Sequence, residues 1–240
     1  FGCNVPAIMS IRLLRSRRER IIASFLVTMV PCSARTVIIA GIVASFVGIA
    51  AAFSVYAIVF LLILITGLVL SRVTPGERFG MIMEMVPLRW PDPKLVMKKS
   101  WARLSEFLFI AMPLLLAGSI VLGLLEFFGV MAYFEGLVEP YTMALLGLPG
   151  YAATALIFGI LRKEMAFETL AILADTADLG AVLTSLQLYI FAVVTVLFVP
   201  CLATITVLLR EVGSRITLAI TVYTVTLGLL IGGLIHYLFS

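Results

Sequence analysis

The sequence predicts an all-α polytopic membrane protein organised as inverted repeats, with discontinuous helices and re-entrant hairpins. Three observations carry that reading. Of the 240 residues, 62% are hydrophobic and only 12% charged, and the mean hydropathy is +1.20; soluble domains are about half apolar and a quarter charged. Apolar runs recur that can cross a hydrocarbon core of about 30 Å. Inside two of those runs the same tetrad stands, Pro31-Cys32-Ser33-Ala34 and Pro200-Cys201-Leu202-Ala203. Proline has no N–H and its ring crowds the carbonyl one turn back, so it interrupts a helix. The carbonyls of Val27 and Val196 should then lose their usual donors. An unsatisfied carbonyl in hydrocarbon is costly, so each break should face protein, water or a cation. Matching breaks in the two halves of a chain are the best sequence pointer to a transporter's midplane site.

Residues 1–71 form a partial first half. Its opening ten residues are too short to span and read as the tail of a re-entrant segment; the chain starts on Phe1 rather than Met, as a piece of a longer protein would. Arg12, Arg15, Arg17, Arg18 and Arg20, relieved only by Glu19, read as a cytoplasmic topology anchor. Residues 21–50 form a broken span and 53–70 a plain one.

Residues 72–103 read as a cytoplasmic connecting loop, with Arg72, Arg78, Arg89, Lys94, Lys98, Lys99 and Arg103 against Glu77, Glu84 and Asp92. Pro87, Pro91 and Pro93 keep it from being one helix, and Trp90 and Trp101 suit the membrane interface. Residues 104–148 supply a linking span at 105–125 and an outer connection bearing Glu126, Glu135 and Glu139 without Lys or Arg.

Residues 149–240 repeat the pattern as a second half. Arg162-Lys163-Glu164 interrupts an apolar run after 151–161, so 151–174 reads as a hairpin dipping into the membrane. A broken span at 185–209 follows Asp175 and Asp178 and ends at Arg210 and Arg215; a last span covers 216–239, with His236 as an interfacial residue. The first broken span leaves a basic edge, whereas the second leaves an acidic edge and arrives at a basic one. That is an inverted topology.

The net charge of +4 comes from basic residues at membrane edges and gives no reason to expect nucleic acid. Three cysteines are too few for a disulfide framework. Thiols suit softer or borderline metal ions, whereas carboxylate and carbonyl oxygen alone would suit calcium or magnesium. Cys32 and Cys201 are therefore expected near each other at the midplane, with Cys3 close to the first, as contacts for a divalent transition metal. Glu164, with Glu168 nearby, is a further candidate, because ionisable residues inside membranes are functional by default. Glu164 can equally pair with Arg162 or Lys163, and both readings stand. Met9 and Met29 read as apolar filler. No His-Glu-x-x-His, Gly-x-Ser-x-Gly or paired intramembrane aspartates occur, so an enzyme is not expected.

Gly2-Cys3-Asn4-Val5-Pro6-Ala7, Pro31-Cys32-Ser33-Ala34-Arg35, Leu161-Arg162-Lys163-Glu164 and Pro200-Cys201-Leu202-Ala203-Thr204 stand in the order and rough spacing of the ferrous iron transport protein B (FeoB) family. Met83-Glu84-Met85-Val86-Pro87-Leu88-Arg89-Trp90-Pro91 resembles that family's Glu-x-Pro-Pro-Tyr-Arg-x-Pro loop, with Val86 and Leu88 as departures. The arginine run at 12–20 replaces positions that are often acidic in the family. The resemblance implies a permease (gate) portion that carries Fe(II) as its transported ion across the cell membrane, through a path lined by Cys3, Cys32 and Cys201. It implies coupling to a GTPase domain or subunit. No Gly-x-x-x-x-Gly-Lys-Ser/Thr phosphate loop occurs here, so no GTP site is expected in this chain. Besides the lipid bilayer, the partners implied are that GTPase part, a small cytoplasmic accessory protein and a second copy in a homo-oligomer. The alternatives are a gate-type carrier for a nucleoside or other small solute, another divalent metal as cargo, and a purely structural membrane protein.

Overall fold

The computed structural model describes residues 2–14, 16–75, 92–127, 142–161, 182–198 and 200–239, together with Trp90, Gly136, Pro140, Lys163, Ala166 and Leu170. In chain order the elements are α1 (Asn4–Ser10), α2 (Arg17–Met29), α3 (Ser33–Ile38), which runs on as a π-helix (Ile39–Val47), α4 (Ile49–Val73), α5 (Pro93–Phe127), α6 (Gly150–Leu161), α7 (Ser185–Leu197), α8 (Leu202–Glu211) and α9 (Ser214–Phe239). No strand occurs among the described residues. Among the described residues four stretches are long and apolar enough to cross a membrane: Arg17–Val47, Ile49–Val73, Ser185–Glu211 and Ser214–Phe239. The protein is an all-α polytopic membrane protein.

Both broken spans start from the same local code. Ser16 Oγ accepts the Glu19 N–H at 3.0 Å. Thr184 and Gln187 cap each other, with Gln187 N donating to Thr184 Oγ1 at 3.3 Å and Thr184 N donating to Gln187 Oε1 at 3.0 Å. A hydroxyl followed three residues later by Glu or Gln satisfies N-terminal donors that the helix itself cannot. Both spans then stop at proline. α2 gives way at Val30 and α3 resumes at Ser33; α7 gives way at Phe198 and α8 resumes at Leu202. The predicted discontinuities are present at both tetrads.

Contacts at the helix ends fix the inverted course of the chain. Arg18 Nε donates to the Thr74 carbonyl at 2.8 Å and its Nη2 to the Ser71 carbonyl. Arg20 Nη2 donates to the Glu211 carbonyl at 2.8 Å. The start of α2 and the ends of α4 and α8 therefore share one face, rich in arginine. On the opposite face, Gln187 Nε2 donates to the Gly147 carbonyl at 2.9 Å. His236 sits there too: a Cβ on Gly147, whose φ is +64°, would lie 2.4 Å from the imidazole Cε1. α2–α3 thus runs from the basic face outward, and α7–α8 runs back toward it. Gly48, at φ 128°, is the one residue between the π-helix and α4, and reverses the chain in a conformation that only glycine adopts easily. His236, expected as a residue of the interface, fills the space that a side chain at 147 would need.

The second broken span is the interior of the molecule. Of its most apolar 18-residue window 65% is buried, against 17% for α4. Ile190, Phe191, Val193 and Val194 pack against Ile38, Ile39, Ile42 and Val43 and against Val55 and Val59 of α4. The outer faces of α4 and α9 present Phe53, Phe60, Leu68, Leu218 and Leu230 to the surroundings, as a lipid-facing wall requires. α9 meets α7 through Gly228 and Gly232: a Cβ at Gly232 would fall 2.4 Å from Val194 Cγ2, and one at Gly228 would fall 3.3 Å from the Phe198 nitrogen. Small residues spaced by four let helices approach closely where no hydrophobic effect drives them together. Hydroxyl pairs add polar links, Thr66 with Tyr223 at 2.6 Å and Ser54 with Tyr189 at 2.7 Å.

One element differs from the sequence reading. Pro93, expected to keep the connecting stretch irregular, opens α5 instead, so the linking helix starts twelve residues before 105. Proline suits the first helical position, where its missing N–H has no partner to lose, and Asp92 Oδ1 accepts the Lys94 N–H at 3.0 Å. After α6, where the sequence reading expects a hairpin, a Cβ on Gly159 would lie 3.0 Å from Ala166 Cβ. Seven residues along one helix are about 10.5 Å apart, so the chain doubles back between them, as a re-entrant hairpin must.

Candidate transport site

A helix that stops inside a membrane leaves its last carbonyls without donors. At the first break these are the carbonyls of Thr28, Met29 and Val30. Arg35, one turn into α3, reaches back so that its Nη1 lies 2.8 Å from Thr28 O, 3.4 Å from Met29 O and 3.3 Å from Val30 O. Its side chain is 2% exposed. Asn4 Nδ2 adds a second donor to Val30 O at 3.3 Å. At the second break Lys163, 4% exposed, places Nζ 2.7 Å from Thr195 O and 3.3 Å from Phe198 O. Each interrupted helix therefore ends on a buried cation. The partial negative charge of a helix C-terminus favours this placement.

The acceptors differ from those predicted. Proline at 31 and 200 was expected to free Val27 and Val196; the carbonyls held by the cations are Thr28, Met29 and Val30, and Thr195 and Phe198. The helices end ahead of each proline, at Met29 and Leu197, which moves the orphaned acceptors. The freed carbonyls, expected as part of the polar equipment for a metal, are engaged by Arg35 and Lys163.

The two thiols occupy equivalent positions. Cys32 and Cys201 are the extended residues immediately before α3 and α8, both half-buried with free thiols. Their carbonyls accept the N–H groups of Thr36 and Ile205, each at 3.0 Å. Cys201 Sγ pairs with Thr204 Oγ1 at 3.1 Å. Arg35 and Lys163 each lie within electrostatic reach of both thiols, and of one another, so the two breaks come together in one region. α3 packs on α7 and α1 on α8, which is how the halves cross. Cys3 belongs to the first break: its neighbour Gly2 accepts the Ser33 N–H at 3.1 Å, and Cys3 itself is exposed.

Among the described residues no three His, Cys, Asp or Glu side chains converge as a metal cage. Arg162, Glu164 and Glu168 lie outside the described residues. Met9 and Met29 are buried, with Met9 in the apolar cluster of Val5, Ile8, Val207 and Leu208.

Sequence reasoning missed the task of Arg35 and treated Lys163 only as a partner for Glu164. A signal existed for both. A basic residue in an apolar stretch has to find acceptors, and a proline-broken helix supplies them.

Two family models match the chain. The one described as "Ferrous iron transport protein B C terminus" covers residues 52–103, and the gate model described as "Nucleoside recognition" covers 108–215. Relatives named "Fe(2+) transporter FeoB" include that of Methanocaldococcus jannaschii, 29% identical over 95% of this chain and 38% of its own length. The protein of that name from Staphylococcus aureus is 28% identical over 89% of this chain and 35% of its own. The one from Synechocystis is 28% identical over 93% and 40% respectively. The chain thus spans no more than about two fifths of these relatives. No solved structure matches it.

Proposed function

Since the chain belongs to the FeoB family and corresponds to its C-terminal membrane part, we propose that it is the permease core through which Fe(II) crosses the cell membrane. It is a multi-pass protein of that membrane. The observation that carries the proposal is the meeting of two interrupted helices, each with a half-buried thiol at the start of its second segment. Cys32 and Cys201 are the sulfur contacts, Cys3 approaches the first of them, and Glu164 is kept as a further ligand on sequence grounds. Transport needs an ion bound well enough to enter and weakly enough to leave, which a few sulfur contacts suit better than a closed cage.

The arginine-rich face is the cytoplasmic one by the positive-inside rule, and it receives the GTPase domain or subunit. Residues 1–71 and 149–240 act as the two gate halves, joined through 72–103 and 104–148. GTP hydrolysis resides outside this chain, which performs no chemistry of its own. A small cytoplasmic accessory protein and a homo-oligomer belong to the same proposal.

Nucleoside carriage is the second reading, supported by the gate model over 108–215. A sugar and base call for amide, hydroxyl and aromatic groups at the breaks. The amide and hydroxyl that the breaks do hold are spent locally, Asn4 on the Val30 carbonyl and Thr204 on the Cys201 thiol, beside thiols and committed cations.

The test is uptake by proteoliposomes holding the full-length protein with its GTPase part. Cys32→Ser and Cys201→Ser keep size and lose softness, so Fe(II) uptake should fall at least about tenfold, since disturbing even an outer-shell partner of a metal ligand costs about that much, while the protein still folds. Wild-type uptake in both variants would sink the sulfur path. Transport of labelled nucleoside without iron would favour the second reading.

A further inference from the structure

Carriers driven by an ion gradient expose unwound carbonyls and helix C-termini at the midplane, and those oxygens hold the coupling ion. This protein builds the same oxygens. They are the carbonyls of Thr28, Met29 and Val30 at one break and of Thr195 and Phe198 at the other. Each set is already filled by a positive charge attached to the chain. Arg35 and Lys163 are almost wholly enclosed, at 2% and 4% exposure, and both act within range of Cys32 and Cys201.

We infer that Arg35 and Lys163 are tethered substitutes for coupling ions, and that they make the path selective against hard cations. This rests on the proposed role as a cation permease and deepens it. Hard cations such as Na⁺, Mg²⁺ and Ca²⁺ are held by several oxygens at once. At the breaks they would have to displace a guanidinium or ammonium that cannot diffuse away. Sulfur at positions 32 and 201 is not engaged in this way, and it favours softer ions over hard ones. Selectivity then comes from oxygen withheld as much as from sulfur supplied. A further consequence is that transport draws nothing from a sodium gradient, because the seats that sodium would take are occupied.

The test uses the full-length protein in proteoliposomes loaded with a sodium- or calcium-sensitive dye. Wild type should be tight to Na⁺ and Ca²⁺, and its Fe(II) uptake should be unchanged when Na⁺ is replaced by choline. Lys163→Met frees the Thr195 and Phe198 carbonyls and should admit Na⁺ or Ca²⁺ at least about tenfold faster than wild type, as an opened oxygen site would. Lys163→Arg and Arg35→Lys keep the charge and should remain tight. A merely structural lysine would show no such split between its Met and Arg variants.

A monodisperse Lys163→Met protein that stays tight to both ions overturns the inference. Sodium-dependent uptake by wild type overturns it too, and needs no variant to fold. The ion leak is read without iron. Wild type that fails to carry Fe(II) with GTP supplied would therefore defeat the permease proposal while leaving the leak result to stand.

Discussion

The two breaks share a sequence code and are closed by different parts. At the first, the cation comes from the broken helix itself: Arg35 stands four residues after Pro31 and folds back on the carbonyls that α2 abandons. At the second, the position four residues after Pro200 is Thr204, which turns to the Cys201 sulfur, and the cation is brought by Lys163 from beyond α6. The short segment at Gly2–Asn4 stands at the first break as the Lys163 segment stands at the second, and it brings an amide donor and a carbonyl rather than a cation. The two share a positive charge on the severed helix end, while the element that supplies it differs. The first break is therefore closed by its own helix, whereas closure of the second depends on docking of a separate segment.

The largest effect should follow from removing the self-supplied cation. Arg35→Met strands the Thr28 and Met29 carbonyls and leaves Val30 with Asn4 alone. At about 1–3 kcal/mol for each buried group left unsatisfied, set against the relief of no longer burying a charge, a net loss of about 3 kcal/mol is expected. Lys163→Met strands two acceptors and should lose about 2 kcal/mol on the same scale. Thermal unfolding in detergent reads both, and an Arg35 variant more stable than the Lys163 variant would break the ranking.

A mid-sized effect should separate the breaks physically. Gly228 lets α9 lie against the backbone of Phe198, where an added Cβ would stand 3.3 Å from its nitrogen. Gly228→Leu should push α9 off the second break at a cost of about 1–3 kcal/mol, the usual range for overpacking. Alkylation of Cys201 should quicken while that of Cys32 holds its rate. Equal acceleration at both thiols would mean that the two breaks move as one.

How much of this was legible follows from what a sequence encodes locally. The breaks could be read because proline acts on its own helix, at Pro31 and Pro200. The hairpin could be read because Arg162-Lys163-Glu164 cuts an apolar run too short to span; Gly159 and Ala166 meet as it requires. Matched starts at Ser16-x-x-Glu19 and Thr184-x-x-Gln187 were equally local and were passed over. Long-range pairings were not legible. Nothing in the order of residues says that Lys163 crosses to Thr195, or that Arg35 turns back where Thr204 does not. Such choices depend on which acceptors are left over once the helices pack. Pro93 was misread because proline at a helix start and proline in a loop look alike until Asp92 is seen to cap the turn.

The smallest effect concerns Thr204, the counterpart of Arg35. Its side chain is 2% exposed, and its hydroxyl has the Cys201 thiol at 3.1 Å. Valine keeps the shape and removes the oxygen, so Thr204→Val deletes one weak contact and creates no cavity. Stability should change by no more than about 1 kcal/mol, the net worth of an ordinary hydrogen bond. The informative readout is the thiol itself. Freed from the Thr204 hydroxyl, Cys201 should be alkylated faster, whereas Cys32 is unaffected because Arg35 and not a hydroxyl occupies the matching place. Fe(II) uptake should be altered far less than by Cys201→Ser, since the sulfur remains. If Thr204→Val abolished uptake as completely as Cys201→Ser, the hydroxyl would have to be counted among the groups that meet the ion, and the second break would differ from the first in its ligands as well as in its cap.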